Sequence, residues 1–419
     1  MTPPRGWKLQ IVASHKDITT ENIFDKRYMP ILGGFACMQR FDAVVVGGGS
    51  SGLIAAGEAA RRGLSVLLLE EDMVVGRPER CAGLYSIRGL ERVGVRLSRS
   101  YVQNLLWGAV IRSPMGAELE IKASSPVAIV AEREALDRFL AEEALSSGAK
   151  VLVGTRVSGC SRVDDGLCKV VTEDGETYRA GVVILAEGSA GRLARGIYRQ
   201  YYAPYWMPII QLVVRGHGLD PRRAYVWFKP YLRDFFGYLV PINEELGRVG
   251  VAGKSDLHKK AIRLIREEMP QAKTIGYMSH SIYRGPPLEH GLTGRILLVG
   301  DAAGQVKATT GGGVVVGGIC ARAAGTHAYR LLTEGDEGAY RRMVRGLYRE
   351  LKMVYWLSKT LSALRYSQLD MLIKAASESG FADALSRRGD MDFQVSGLAL
   401  SIASPRGLSF LSHLARSLF

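Results

Sequence analysis

Residues 41–70, FDAVVVGGGSSGLIAAGEAARRGLSVLLLE, admit few folds. An apolar run of strand length, 41–46, leads into Gly47-x-Gly49-x-x-Gly52, with Ser51 inside the turn. A small-residue helical pattern over 53–62 follows, then a second apolar run, 64–69, that ends on Glu70. Strand, glycine turn, helix, strand and acid, in that order, are the parts of a dinucleotide-binding unit. Gly47 allows the sharp turn out of the strand. Gly49, without a Cβ, lets the backbone approach a pyrophosphate, and Gly52 lets the helix pack close to the strand. Free N–H groups at the helix start, together with the helix dipole, favour negative charge there. Glu70 is placed to accept hydrogen bonds from a ribose. It disfavours a 2′-phosphate, so FAD or NAD suits this turn better than NADP. The alternative is a ligand-free parallel unit that merely uses the glycines to turn.

The rest of the composition narrows the class. A chain of 419 residues with 47% hydrophobic content can bury two to three domains. The net charge of +14 suggests an anionic partner: nucleic acid, lipid headgroups or a phosphorylated substrate. The charges are spread along the chain, without a dense basic run or an aromatic–basic RNA motif, so no nucleic-acid partner is expected. Cys37, Cys81, Cys160, Cys168 and Cys320 show no metal-ligand spacing. That pattern predicts a reducing, cytoplasmic setting and no metal site. No apolar run is long enough to span a bilayer. Contact with lipid would therefore be peripheral, at the cytoplasmic membrane face.

Along the chain, residues 1–37 lack a sustained period and read as an N-terminal extension, or as an arm using Trp7, Ile11, Phe24 and Tyr28 to pack on the body. Cys81, beside Arg80, is expected at a helix start, where a thiol pKa falls; the bland alternative is a small buried residue. Residues 106–126 read as a hairpin turning at 113–116, 127–131 as a strand, and 133–147 as an amphipathic helix ended by Gly148. A strand at 150–153 and a hairpin around Asp164-Asp165-Gly166 follow, then a core strand, 181–186, running into Glu187-Gly188. Strands dominate 209–253, with a helix at 259–268. Residues 225–228 and 236–241 carry large aromatics that either pack a sheet or line an apolar cavity. A strand at 295–300 runs into Asp301-Ala-Ala-Gly304, then into Gly311-Gly312-Gly313 and a small-residue helix. Residues 336–419 are helical in pattern, with apolar and basic residues mixed.

The glycine turn at the start and the segment VGDAAGQVKATTGGGVVVGGICARAAG near the end belong together. Their pairing resembles the two-dinucleotide-binding flavoproteins of the p-hydroxybenzoate hydroxylase type. Within these the sequence is most similar to the geranylgeranyl reductase family, especially archaeal digeranylgeranylglycerophospholipid reductases, over roughly residues 38–400. The resemblance implies FAD, with Asp301 at its ribitol or pyrophosphate and Gly311, Gly312 and Gly313 against the flavin ring. It further implies that Arg133, before the Asp137-x-x-Leu140 pattern, touches FAD. Cys81 and Gly83 match the family's Cys-x-Gly segment near the flavin. Ala308 replaces the family's proline. Glu187-Gly188 stands where the superfamily has Asp-Gly, which makes Gly188 a cofactor contact. Residues 236–241 look like a degenerate form of the family's aromatic substrate motif, which implies Phe236 and Tyr238 as substrate contacts; Tyr225 and Trp227, on one face of the neighbouring strand, join them as candidates if these aromatics line a cavity.

The implied fold is α/β. A Rossmann-like FAD domain would come from 38–105, 127–200 and 280–335, a β-sheet substrate domain from 106–126 and 201–279, and a helical region from 336–419. The implied activity is FAD-dependent saturation of C=C bonds in the geranylgeranyl chains of ether lipids or in geranylgeranyl diphosphate. An isolated trisubstituted alkene is a poor hydride acceptor, so a proton must also arrive, with Cys81 or Tyr238 as candidate donors. The partners would be the isoprenoid lipid and an electron donor: ferredoxin, a deazaflavin or NAD(P)H. The rivals are a flavin monooxygenase or other FAD-dependent dehydrogenase on the same fold, and an RNA-binding flavoprotein suggested by charge alone.

Overall fold

The computed structural model describes residues 24–25, 39–163, 166–198 and 203–418. Apart from 24–25, the N-terminal stretch 1–37 lies outside the described residues, as do Asp164 and Asp165 of the expected hairpin turn. Phe24–Asp25 pairs parallel with Lys150–Val153 as an edge strand.

The first sheet is built on the strand Gln39–Val46, parallel to Val66–Leu69 on one side and to Thr177–Leu185 on the other. Lys150–Val153 and Ile296–Leu298 extend it in parallel, and Val157–Arg162 and Cys168–Thr172 complete it as antiparallel strands. Its central strands are apolar without alternation because both faces are covered. Ala43, Val45, Leu68 and Ile184 meet helices Ser50–Arg61, Arg133–Ser146 and Val314–Glu334. Val44, Leu67, Leu69 and Leu185 pack on the opposite side with Tyr178 and with Val170 of the antiparallel strand Cys168–Thr172. The small-residue runs of two helices now have a reason. A Cβ on Gly325 of the late helix would sit 2.7 Å from the carbonyl oxygen of Ala55, so the two backbones are almost in contact.

The second sheet runs Lys273–Tyr283, Trp206–Arg215, Leu246–Ala252, Gly237–Pro241, Arg223–Trp227, Gly108–Arg112, Glu118–Lys122. It is antiparallel except where Arg223–Trp227 pairs parallel with Gly108–Arg112. Helix Leu257–Glu268 covers one face through Ala261, Leu264 and Ile265. Five helices close the chain: Ala339–Ala363, Tyr366–Glu378, Phe381–Arg388, Gln394–Ile402 and Pro405–Leu418. Phe381 and Phe410 stack at 4.7 Å and pack with Leu119 of the 108–122 hairpin, so the tail is anchored on the second sheet. Among the described residues no helix is long and apolar enough to cross a membrane.

Three boundaries differ from the sequence reading. The first helix begins at Ser50 rather than at Leu53, because the chain is already helical immediately after Gly49. The strand expected at 295–300 is only Ile296–Leu298, since Gly300 turns at φ +69° into a short 3-10 helix, Gly300–Ala303. Cys81 is not at a helix start: it lies in an irregular segment before the strand Leu84–Ser86, and the next helix is Ile87–Val93.

Candidate functional site

Both glycine-containing turns open on one cleft. Its walls include Gly47, Gly48, Gly49, Glu70, Arg133, Glu187, Gly188, His280 and Asp301. Gly47 turns at φ +104°, and a Cβ there would lie 2.4 Å from the Ala186 carbonyl oxygen. A Cβ on Gly52 would lie 1.9 Å from the Gly47 carbonyl oxygen, so strand and helix touch there. A Cβ on Gly49 would meet nothing within 4 Å. Gly49 therefore faces open cleft, at the N-cap of a helix that has no side-chain cap. Uncapped N–H groups beside an unfilled approach suit a pyrophosphate.

Glu70 is buried at the end of its strand. One carboxylate oxygen accepts from the Gly48 N–H and the other from the Asp72 N–H at 2.8 Å. Burial pushes its carboxyl up, against the pull of those two backbone donors. Ser51 faces the second turn: its Oγ lies 2.7 Å from where a Cβ of Gly300 would stand. The Oγ of Ser50, which the sequence reading did not single out, accepts from Arg133 Nη2 at 3.3 Å.

Arg133 is the hub of the cleft. Its Nε donates to Asp137 at 2.9 Å. Burial works against its charge, but Asp137, Tyr85 and Cys81 outweigh that, so the guanidinium stays charged. Asp301 is half-buried, and desolvation pushes its carboxyl up against the pull of Arg133. The Asp301 Oδ1 lies 2.7 Å from where a Cβ of Gly313 would stand, which ties the acid to the start of helix Val314–Glu334. Gly311 turns at φ +73° against Ile282, and the Gly312 carbonyl accepts from the Lys307 N–H at 3.1 Å. Ala308, in the place of the family's proline, is fixed differently. Its carbonyl accepts from Arg284 Nε and from Ser358 Oγ, both at 3.0 Å.

Glu187 spends its charge on the backbone. Its two oxygens accept from the N–H groups of Leu193 and Ala194, each at 2.9 Å, and so cap the helix Arg192–Ile197. Gly188 beside it turns at φ +60°, and a Cβ there would meet nothing within 4 Å.

The Cys81 Sγ sits 3.2 Å from the Tyr85 hydroxyl and accepts from the Gly83 N–H at 3.4 Å. Gly83 is required, since a Cβ there would lie 2.2 Å from the Ala131 carbonyl oxygen. The segment is held by Arg248, a buried residue without a sequence signature. It donates to Glu79 at 3.1 Å, to Gln103 at 3.2 Å and to the Ala82 carbonyl at 3.4 Å. Cys81 also acts electrostatically on the Tyr238 phenol, which burial pushes well above the ordinary range. Tyr238 donates to Gln211 Oε1 at 2.9 Å, and the Nε2 of this fully buried glutamine has no protein partner.

The aromatics divide by face. Tyr225 and Trp227 stack at 5.8 Å and face helix Leu257–Glu268, so they are core of the second sheet and not a wall shared with Tyr238. Phe236 and Tyr238 lie together on the other face, 6.3 Å apart, with Phe235, Ile209 and Ile282. His280 comes from the edge strand Lys273–Tyr283 and lines the cleft. Its Nδ1 is buried without a partner, and burial, with Arg80 and Arg133 nearby, pushes its pKa down to about 4. No metal-binding cluster of His, Cys, Asp and Glu occurs among the described residues.

Residues 42–195 match the sequence model of the FAD dependent oxidoreductase family. Digeranylgeranylglycerophospholipid reductase 1 of Methanopyrus kandleri is 31% identical over 315 residues, 71% of this chain and 83% of that protein. The digeranylgeranylglycerophospholipid reductase of Methanocaldococcus jannaschii is 29% identical over 372 residues, 81% and 91% of the two chains. Among solved structures, a geranylgeranyl bacteriochlorophyll reductase-like protein from Thermoplasma acidophilum superimposes with a TM-score of 0.77 at 21% identity. That match covers 90% of this chain and 99% of the other.

Proposed function

Because the chain belongs to the digeranylgeranylglycerophospholipid reductase family of FAD-dependent oxidoreductases, we propose that it saturates C=C bonds in geranylgeranyl chains of an ether lipid. The observation that supports this reading is the convergence of two strand-to-helix turns on one cleft, with open space at Gly49, a half-buried Asp301 and a charged Arg133. These residues fit FAD. The tight turn that Gly47 and Gly52 permit would admit its pyrophosphate beside Gly49, with Arg133 balancing the charge. Glu70 would hold the adenosine ribose, Gly188 would border the cofactor, and Asp301 with Gly311, Gly312 and Gly313 would hold the flavin end. When bound, the reduced flavin supplies a hydride.

The protein must supply the rest. A proton has to reach the less substituted alkene carbon so that positive charge develops at the tertiary one. Tyr238 is poorly suited as donor, since burial tightens its hold on its proton and its hydroxyl already donates to Gln211. Cys81, half-buried with the Tyr85 hydroxyl at its sulfur, is the better donor. Phe236 and Tyr238 would guide the chain past this thiol, because each methylene kept out of water gains roughly 0.8 kcal/mol. The FAD domain would comprise 38–105, 127–200 and 280–335, and the substrate domain 106–126 and 201–279. Each bond saturated consumes two electrons, so a redox partner must reload the flavin.

The test is anaerobic. The dithionite-reduced protein, freed of excess reductant, is mixed with a digeranylgeranylglycerophospholipid. Return of the oxidised flavin spectrum with formation of saturated lipid is the expected result. A flavin that stays reduced with lipid and returns only with oxygen would remove the reading.

A further inference from the structure

Helix Ala339–Ala363 carries an unusual outer face. It bears six cations, Arg341, Arg342, Arg345, Arg349, Lys352 and Lys359, all exposed. Its one acid, Glu350, is buried and caps the Gln394–Ile402 helix by accepting from Val395 N–H at 2.7 Å. Set among the cations are large apolar side chains open to solvent: Trp356 is 68% exposed, and Met343, Met353 and Leu361 are at least 40% exposed. Positions 342, 345, 349, 353, 356 and 360 follow the three-and-four spacing of one helical stripe. Arg342 pairs with Asp336 and Lys352 with Glu289. Arg345 and Arg349 have no acidic partner among the described residues, and Lys359 lies over the Tyr355 ring at 5.9 Å.

We propose that this face docks the enzyme on an anionic lipid bilayer, with Trp356 and Met353 entering the headgroup layer. Long basic side chains lift their charges to the phosphates while their stems and the apolar residues between them leave water. Charge argues against the other occupants. A second copy seated on the same face would oppose cations to cations. A nucleic acid or an acidic protein would satisfy the arginines but leave Trp356, Met353 and Leu361 without an apolar partner.

The inner side of the same helix explains why docking belongs here. Ser358 Oγ accepts from Arg284 Nη2 at 2.8 Å and donates to the Ala308 carbonyl, in the loop that leads to Gly311. Tyr355 packs edge-on against Tyr205, which meets Tyr283 in the same way. One helix, roughly 10 Å across, therefore separates the bilayer surface from the loop assigned to the flavin. A prenyl chain would pass from membrane to cleft without crossing water. That purpose rests on the lipid reading above, while the docking geometry does not.

The experiment uses the full FAD-loaded protein and two vesicle types, phosphatidylcholine alone and phosphatidylcholine with phosphatidylglycerol. Flotation is expected only with the anionic vesicles, and it should weaken at high salt. An Arg345→Glu/Arg349→Glu variant should lose about tenfold or more of its partitioning. Brominated lipid should quench tryptophan fluorescence in the wild type and much less in Trp356→Ser. Circular dichroism and flavin content check folding, and the milder Arg345→Gln/Arg349→Gln pair replaces any variant that fails. Wild-type protein that ignores anionic vesicles, variants that partition as the wild type does, a dimer that buries Trp356, or preference for RNA or an acidic protein would each overturn the proposal. Turnover on detergent-dispersed lipid separates the two claims. It should be unchanged in the variants, and its absence in a wild type that binds vesicles would fault the substrate reading and not the docking face.

Discussion

At the scale of single residues, the three glycines of the first turn make different demands. A Cβ on Gly49 meets no protein atom within 4 Å, whereas one on Gly52 falls 1.9 Å from a backbone oxygen. Gly49→Val should therefore leave the melting temperature of the flavin-free protein little changed while abolishing flavin retention. Gly52→Val should lower that melting temperature strongly. Equal flavin content in Gly49→Val and wild type, by absorbance after gel filtration, would remove the pyrophosphate from this turn. His280 gives a pH prediction. Its pKa is pushed from 6.5 down to about 4, so between those values the unfolded chain binds more protons than the folded one. Stability should be complete above pH 6.5 and fall as pH drops towards 4, by on the order of 3 kcal/mol. His280→Gln should flatten that slope in denaturant titrations; an unchanged slope would assign it to other groups. The glycine roles were legible because spacing alone dictates them. Ser50, His280 and Arg248 were not, because no local pattern announces a side chain whose partners lie far along the chain.

At the scale of elements, the first strand–helix–strand unit and the amphipathic helix Arg133–Ser146 were legible from periodicity and glycine punctuation. Pairing between distant strands was not: nothing near residue 108 says that Gly108–Arg112 lies parallel to Arg223–Trp227. Alternation put Tyr225 with Trp227 and Phe236 with Tyr238, but only the position of helix Leu257–Glu268 decided which pair is core. The tie between the flavin-side loop and the tail was equally hidden. Lys307 Nζ donates to Asp392 at 2.7 Å and to the Met391 carbonyl at 2.9 Å, and both side chains of the ion pair are buried. Lys307→Met strands the Asp392 charge and should cost about 3–5 kcal/mol. Adding Asp392→Leu should recover much of it. Additive losses in urea melts would show that the pair does not couple.

At the scale of the whole molecule, two sheets and a helical tail meet around one cleft, and each contributes what the others lack. The first sheet offers Gly49, Glu70 and Asp301, the second offers His280, and the tail steadies the loop through Ser358 and Asp392. The resemblance in sequence was legible because both turn motifs carry it. The contact of Cys81 with the Tyr85 hydroxyl was not, because no local pattern pairs a thiol in an irregular segment with a strand tyrosine. The central claim is that this cleft delivers a hydride and a proton to a prenyl double bond. The most direct test is the mass of the lipid recovered after anaerobic incubation of digeranylgeranylglycerophospholipid with the reduced protein. The account predicts products heavier by two hydrogens for each bond saturated, absent when oxidised protein is used. Lipid recovered at its original mass, from protein whose flavin is intact and reduced, would contradict it.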